Sequence, residues 1–378
     1  MNLINLIIIV SPVTRTKLNM RPTVHRPNFT DRPKFMASFL VFHVLLYLAF
    51  AFPALAGSLD KTPNPQRLQE LDQFAFNTDV RYTKDVKTLA SYLNTGATTD
   101  YERARIIFAW VARNIRYNDY GYNSGNLGNS SVEHVLKTRL SVCDGYARLY
   151  KALGEEMGLK VEKVSGYAKG YGYAPGKRFY QTNHAWNSVY LNGKWRLVDA
   201  TWGSGAAEMV NGKLKTKFRY SPYWFDTDPH EFLFSHLPKE PKWQHINTPI
   251  TLAQYERLTS VDESLFRLGA DAAELLQDLT SGKLKTIATT WNTDLNVQIT
   301  KAPLEGKLMP GKPYTLSFKA TNDVELIVLN NKKWLYFTTA GETHTLKVNP
   351  SQGNLAVMAR KKGSKGNYSY FMEYKVGS

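Results

Sequence analysis

Residues 183–199 read NHAWNSVYLNGKWRLVD, and this stretch decides how the middle of the chain folds. Two strand-like runs flank Asn192-Gly193, a dipeptide favoured in two-residue type I′ hairpin turns. If the strands pair directly outward from that turn, His184 and Asp199 are diagonal neighbours on the same face. Diagonal pairs in a hairpin lie roughly 7–8 Å apart, within reach of long side chains. The turn therefore predicts a hydrogen bond between the His184 imidazole and the Asp199 carboxylate.

Upstream of this hairpin lies Cys143, the only cysteine of the 378 residues. Helical periodicity runs from Cys143 to Met157, and Gly158 fits the left-handed residue that ends many helices. A thiol at a helix N-terminus, near a histidine, is favoured as a thiolate that can attack a carbonyl. A helix followed by an antiparallel hairpin predicts an α+β core.

Taken singly, each of these three residues has an ordinary structural interpretation. Cys143 fits a small buried apolar residue, His184 a structural histidine and Asp199 a helix-cap or hairpin residue. Together they occur in a workable order for a nucleophile, a general base and the carboxylate that orients the base. We therefore predict a catalytic triad of Cys143, His184 and Asp199.

Further contacts to substrate are predicted around the triad. The Cys143 N–H is the first candidate oxyanion donor, and the second stays open among residues with a side-chain N–H: Gln181, Asn187 and Trp186. Four tyrosines crowd the segment before His184, which includes the glycine-rich loop 170–176. We expect substrate contact from two of them, Tyr171 and Tyr173, and packing from the other two, Tyr167 and Tyr180.

Other chemistries lack their sequence patterns. The histidines do not occur in H-E-x-x-H or paired-cysteine settings, so no metal site is predicted. The G-x₄-G-K string at 306–312 is followed by Pro313 and a strand, which argues against a phosphate-binding loop. We predict no cofactor.

Residues 1–56 are predicted to be a leader that is removed. The apolar run 39–52 has the length of a signal-peptide core, and Ala54-Leu55-Ala56 fits a cleavage site. An uncleaved membrane anchor is the alternative, and Met20 or Met36 could be the true start. Export predicts a periplasmic or extracellular protein.

The charge of the remaining chain suggests a kind of partner. Loss of the leader would remove six basic residues and one acidic residue, lowering the formal charge from +16 to +11. Such a protein suits an anionic cell-wall or membrane surface, or is merely a soluble basic protein. The basic residues are scattered, so nucleic acid is not an expected partner.

The remaining patterns divide the exported chain into three parts. Residues 57–98 read as a helical segment, within which a pro-segment stays open. Residues 99–282 read as the core with a wrapping tail, beginning with a capping box at Thr99–Glu102. Within this part, the Asn-, Gly- and Tyr-rich residues 118–131 read as a long loop that is a candidate wall of the substrate cleft, and residues 214–250 read as the wrapping tail. Short alternating strands over residues 287–378 predict a small β-sandwich domain.

The motifs CDGYA at 143–147, HAWN at 184–187 and VDATW at 198–202 resemble those of the transglutaminase-like superfamily, a papain-like group. The segment 222–244 resembles the tail that follows this core in kyphoscoliosis-peptidase-like proteins. The resemblance implies Cys143 as nucleophile, His184 as general base and acid, and Asp199 as its orienting residue. Superfamily members include crosslinkers, peptidases, amidases and inactive scaffolds, so the fold alone leaves the reaction open.

From these observations we expect an exported thiol enzyme that hydrolyses peptide or side-chain amides through an acyl-thioester. A crosslinking transglutaminase is the enzymatic alternative. A catalytically inactive binding module at the cell surface is the alternative of a different class. The sequence leaves the substrate and the oligomeric state open.

Overall fold

A computed structural model describes residues 62–170, 173–174 and 176–377; the predicted leader lies outside these ranges. The helices are α1 Pro65–Phe76, α2 Val86–Asn94, α3 Asp100–Asn114, α4 Asp119–Ser124, α5 Val132–Thr138, α6 Cys143–Glu156, α7 Ala200–Gly203, α8 Pro229–Phe232, α9 Leu252–Arg257, α10 Glu263–Arg267 and α11 Ala272–Thr280. Within the described ranges, no helix combines the length and apolar character of a membrane span.

The strands before residue 282 are β1 Arg116–Tyr117, β2 Leu140–Ser141, β3 Val161–Ala168, β4 His184–Leu191, β5 Lys194–Val198, β6 Gly205–Val210, β7 Lys213–Phe218, β8 Phe225–Thr227 and β9 His236–Pro238. Those after it are β10 Thr289–Thr290, β11 Val297–Lys301, β12 Lys307–Leu308, β13 Tyr314–Ala320, β14 Val324–Asn330, β15 Lys333–Tyr336, β16 Thr338–Ala340, β17 Thr343–Val348, β18 Gly353–Lys361 and β19 Ser369–Val376.

The core packs α3 and α6 with an antiparallel sheet of order β8-β5-β4-β3-β9. Helix α3 is buried on almost every side, with Trp110 fully buried, because α1 and α6 also pack against it. Tyr150 on α6 and Val189 on β4 belong to the same hydrophobic core. This packing of the helix that begins at Cys143 against the hairpin that holds His184 is what positions the site.

Helix α3 begins at the predicted residue, but its cap differs in one respect. The Thr99 side chain accepts from the Glu102 N–H, as predicted. The Glu102 carboxylate does not return to Thr99; it accepts from the Thr98 N–H and pairs with Arg67 of α1. The capping box is therefore half formed, because a longer-range cation takes the carboxylate.

Two segments predicted as irregular contain secondary structure. The loop predicted at 118–131 includes helix α4, which the Asn118 side chain caps through the Gly121 N–H. The wrapping tail supplies β8 and β9, the two edge strands of the core sheet. Both strands have three residues, too short for an alternating pattern to be visible in the sequence.

The C-terminal strands form two antiparallel-dominated sheets that share one core. The first has the order β10-β19-β18-β14-β15, with β12 also pairing β19, and the second has the order β11-β13-β17-β16. Phe318 of the second sheet meets Phe371 of the first edge to face, with ring centroids 5.3 Å apart. The predicted fold class, an α+β core with a C-terminal β-sandwich, is confirmed, whereas the domain boundaries stay a prediction.

Candidate active site

His184 and Asp199 meet across the β4–β5 hairpin. The strands pair in the predicted register from the turn to Asn187 opposite Val198. Both turn residues have positive φ, 51° and 81°, as a type I′ turn requires. His184 Nε2 lies 2.7 Å from Asp199 Oδ2, so the predicted hydrogen bond is present.

Asp199 is at the same time the N-cap of α7. Its Oδ1 accepts from the backbone N–H groups of Thr201 at 2.8 Å and Trp202 at 3.1 Å. These two bonds fix the carboxylate with Oδ2 turned to His184. The cap and the orienting role are therefore one arrangement, and Asp199 is fully buried within it.

A second histidine shares the same carboxylate oxygen. His236 Nε2 lies 3.1 Å from Asp199 Oδ2, and His236 Nδ1 lies 2.7 Å from Ser235 Oγ. Strand β9 brings it there by pairing with the end of β3, opposite Ala168. Its imidazole is fully buried among four aromatic rings at centroid distances of 4.1–5.4 Å: Trp186, Trp202, Trp224 and Phe232.

Sequence reasoning missed this role of His236, which it considered only as a zinc ligand. The one available signal is that His236 directly follows Phe232-Leu233-Phe234-Ser235, a mainly apolar run. A histidine in such a run is a candidate for burial, and a buried imidazole needs hydrogen-bond partners. The identity of the partner required the tertiary structure.

The pKa values of the two histidines are shifted in opposite directions. Burial alone lowers the pKa of His184, but the charges of Asp199 and Cys143, with hydrogen bonds to both, outweigh it and raise the pKa to about 10. Burial lowers the pKa of His236 to about 4 despite its bond to Asp199. Burial alone would raise the pKa of Asp199, yet the two histidines hold it far below its usual value. At neutral pH the array is thus an imidazolium, a carboxylate and a neutral imidazole.

Cys143 is the first residue of α6, and its side chain is partly exposed. The N-cap residue, Val142, makes no side-chain cap bond. Among the described residues, nothing accepts a hydrogen bond from the backbone N–H of Cys143. This N–H is consequently unengaged among the described residues, and its role as an oxyanion donor stays a prediction.

Gly145 explains how the helix start can lie so close to the preceding strand. A Cβ at this position would lie 2.0 Å from Ser141 Oγ and 2.7 Å from Val135 Cγ2. Contacts this short would force the Ser141 and Val135 side chains to shift. Glycine in the CDG sequence therefore lets the helix start pack closely on Ser141 and Val135, which helps to position Cys143.

One wall of the site comes from the segment after α3. The pKa of Tyr117 is raised by burial and, in second place, by the charge of Cys143, which puts this phenol near the thiol. The next residue, Asn118, donates its N–H to the Ser141 carbonyl, two residues before the nucleophile. These contacts place the start of segment 118–131 close to Cys143, while its role as a wall of a substrate cleft stays a prediction.

The hydrogen bonds of the site argue against a bound metal. His184, Asp199 and His236 are the one group of metal-ligating side chains found in the described part of the chain, with ligand atoms within 4.8 Å of one another. Both Nε2 atoms must carry hydrogens to donate to the carboxylate, and a metal would have to displace them. The donor set fits a saturated hydrogen-bond array, and we assign no metal to it.

Two candidate oxyanion donors lie in the core instead. The Asn187 amide donates to the carbonyls of Ala147 and Glu162, linking α6 to β3, and the residue is 1% exposed. Its N–H groups are used, so the structure contradicts a role for Asn187 in substrate binding. Trp186 is also 1% exposed, packed on Phe232, and its Nε1 has no acceptor among the described residues.

The loop residues differ from expectation as well. Tyr173 donates its hydroxyl to the Glu256 carbonyl and stacks on Phe179, so it packs rather than facing substrate. Tyr180, expected to pack, is 94% exposed. Gln181 is exposed on the surface and stays a candidate, and Tyr171 lies outside the described residues.

A thiol at a helix N-terminus beside a hairpin-borne His–Asp pair defines the class of this core, a transglutaminase-like fold. Residues 87–200 match the sequence model of the transglutaminase-like superfamily. The chain therefore carries a transglutaminase-like domain, and the resemblance inferred from its three motifs is confirmed.

Curated relatives extend the similarity beyond that segment. Kyphoscoliosis peptidase from mouse is 35% identical over 210 residues, which cover 55% of this chain and 31% of the relative. Hillarin from Drosophila melanogaster is 30% identical over 223 residues, covering 56% and 27%. Among solved structures, the protein in a crystal structure of a TGase is 17% identical in sequence, with a TM-score of 0.25. The match covers 38% of this chain and 34% of the TGase chain. The match thus spans less than a third of the length of these two curated relatives.

Proposed function

We propose that this chain is a cysteine-dependent acyl-transfer enzyme that acts on peptide or side-chain amides. One observation carries the proposal: a partly exposed Cys143 begins α6 within hydrogen-bonding reach of His184, whose Nε2 lies 2.7 Å from Asp199 Oδ2. A thiolate–imidazolium pair is the reactive form of such a nucleophile.

Each residue of the site has a step in the proposed reaction. The Cys143 thiolate attacks the amide carbon, and the Cys143 N–H stabilises the oxyanion. His184 Nδ1, the nitrogen not bound to Asp199, donates its proton to the leaving nitrogen as the C–N bond breaks. Water then attacks the thioester carbon and loses its proton to Nδ1, and the C–S bond breaks to restore the thiolate.

Hydrolysis is the proposed outcome because water needs no second binding site. The name of kyphoscoliosis peptidase is consistent with this choice. An amine in place of water would make the same acyl-enzyme a crosslinking transglutaminase, the second candidate. Both candidates share the first half of the reaction and differ only in the acceptor.

The proposal includes the location and the partners. Residues 1–56 act as a cleaved leader, and the basic exported chain works at an anionic cell-wall or membrane surface. The division into 57–98, 99–282 and 287–378 belongs to the same proposal. Comparison of the N-terminus of the mature protein with Gly57 tests the leader.

A pH series of Cys143 alkylation by iodoacetamide tests the enzyme proposal. Fast labelling that persists below pH 7, and that slows in a His184→Ala variant, supports a poised thiolate. Slow labelling with the profile of a free thiol, unchanged by the variant, would refute it in favour of a non-catalytic module. Peptide substrates incubated with and without a primary amine then separate hydrolysis from transfer.

A further inference from the structure

We propose that His236 is a positioning residue of the catalytic array, which shares Asp199 Oδ2 with His184 and so limits how firmly the carboxylate holds the His184 proton. This inference rests on the proposed acyl-transfer function. It adds to the site a residue from β9, which lies beyond the segment that matches the superfamily model.

The geometry sets the two imidazoles in competition for one oxygen. Oδ2 accepts from His184 at 2.7 Å and from His236 at 3.1 Å, while the backbone donors of α7 occupy Oδ1. A carboxylate rotation that favoured either ring would break the two backbone bonds. Oδ2 therefore stays divided between the two rings.

The two hydrogen-bond partners of His236 agree on one tautomer. The Asp199 carboxylate can only accept, so the neutral ring carries its hydrogen on Nε2 and leaves Nδ1 as an acceptor. Ser235 Oγ lies 2.7 Å from Nδ1, closer than the 3.3 Å to the Phe232 carbonyl, and it donates to the ring. The four surrounding aromatic rings exclude water, which keeps the ring neutral. Asp199 and Ser235 together therefore hold the N–H dipole of His236 toward the carboxylate.

Removing that dipole should act on His184 in a definite direction. The positive end of the His236 N–H lies between the rings, whose centroids are 5.3 Å apart, and it disfavours a proton on His184. It also draws charge from the oxygen that binds His184. Both effects make His184 a stronger acid, better able to pass its proton to a leaving amine.

The other groups facing this pair do not supply the same control. Asp199 and Cys143 are the charged neighbours of His184, and both act to raise its pKa. Tyr146 lies near Asp199, but its hydroxyl donates to the Ile115 carbonyl. Among these neighbours, His236 alone opposes the carboxylate.

The test compares His236→Phe with His236→Gln in the full chain. Phe keeps the packing and removes the N–H, whereas Gln keeps an N–H for Asp199 and an acceptor for Ser235. The His184 titration is followed by NMR of histidine-labelled protein. We expect His236→Phe to move it upward by about one pH unit, a tenfold change in the equilibrium, and His236→Gln to leave it near the wild-type value.

A titration that stays in place or moves downward in folded His236→Phe would overturn the proposal. If that variant does not fold, Ser235→Ala replaces it, because loss of the hydroxyl that donates to Nδ1 makes the ring less polarised and its Nε2–H a weaker donor to Asp199. The same upward shift, in smaller measure, is then expected, and its absence counts against the proposal.

Turnover separates this role from a structural one. A weaker acid slows amide cleavage but not cleavage of an activated ester, whose leaving group needs no proton. We expect the amide-to-ester ratio of kcat to fall about threefold to tenfold in His236→Phe and to recover in His236→Gln. Equal losses on both substrates would refute positioning. If the wild type cleaves neither substrate, the enzyme proposal fails, while the NMR titration still decides the role of His236.

Discussion

Replacement of Asp199 by Asn tests the central geometry of the site. An Asn can still accept the Thr201 and Trp202 N–H groups through Oδ1, so the cap of α7 is kept. Its Nδ2 hydrogens would then face the Nε2–H groups of His184 and His236, donor against donor. His184 can relieve this conflict only by moving its hydrogen to Nδ1, the tautomer that cannot accept a proton from the thiol.

The magnitude follows from the protonation of His184. The rise of its pKa from 6.5 to about 10 corresponds to about 5 kcal/mol that favours the imidazolium. The charge of Asp199 is the largest of the interactions that raise the pKa of His184. Loss of that charge through Asp199→Asn would lower the pKa of His184 and should slow alkylation of Cys143 at pH 7 by roughly tenfold or more.

The assay is the second-order rate of iodoacetamide labelling of Cys143 across pH, with circular dichroism to verify folding. Asp144→Asn is the matched control, because it removes the same charge beside the nucleophile. Asp144 pairs with Lys163 and Arg148 at the surface of α6. Partly exposed pairs contribute about 0–1 kcal/mol, so a change of less than about fivefold is expected. A folded Asp199→Asn protein that labels like the wild type would refute the reasoning.

Three further outcomes concern stability. Folding lowers the pKa of His236 from 6.5 to about 4, so as the pH falls the imidazole is protonated in the unfolded state before it is protonated in the folded state. The free energy of unfolding, measured by urea titration, should therefore decline by about 3 kcal/mol from pH 6.5 to 4, and this His236-dependent decline should be absent in His236→Gln. Arg105 and Asp72 form a buried ion pair, 2.7 Å apart, so Asp72→Asn leaves the Arg105 charge unpaired and should lower the free energy of unfolding in urea by about 3–5 kcal/mol. The double variant Asp72→Asn/Arg105→Met removes both charges and should lose less stability; equal losses would contradict this reasoning. Gly145→Ala should lower stability by about 1–3 kcal/mol, and Ser141→Gly should restore part of it if the overlap with Ser141 Oγ is the cause.

The chain determines by local rules the part of the site that is local in sequence. Only 15 residues separate His184 from Asp199, and the two-residue turn between them sets the strand register and hence the face that each side chain shares. The helix that begins at Cys143 is equally local, because periodicity and a terminal glycine mark it. The His184–Asp199 hydrogen bond and the helix that begins at Cys143 therefore follow from the amino-acid sequence alone, whereas the joint catalytic role of these three residues stays a prediction.

The tertiary structure decided what depends on packing between distant segments. His236 reaches Asp199 across 37 residues, through a three-residue strand whose pairing with β3 leaves no periodic trace. The burial of Asn187 follows from α6 lying on β3 and β4, which the pattern of either element alone does not specify. Tyr173 packs because its hydroxyl finds the Glu256 carbonyl on α9, a distant segment, whereas Tyr180 is left exposed. Hydrogen-bond partners and solvent exposure are properties of contacts between elements, and those contacts exist only once the chain has folded.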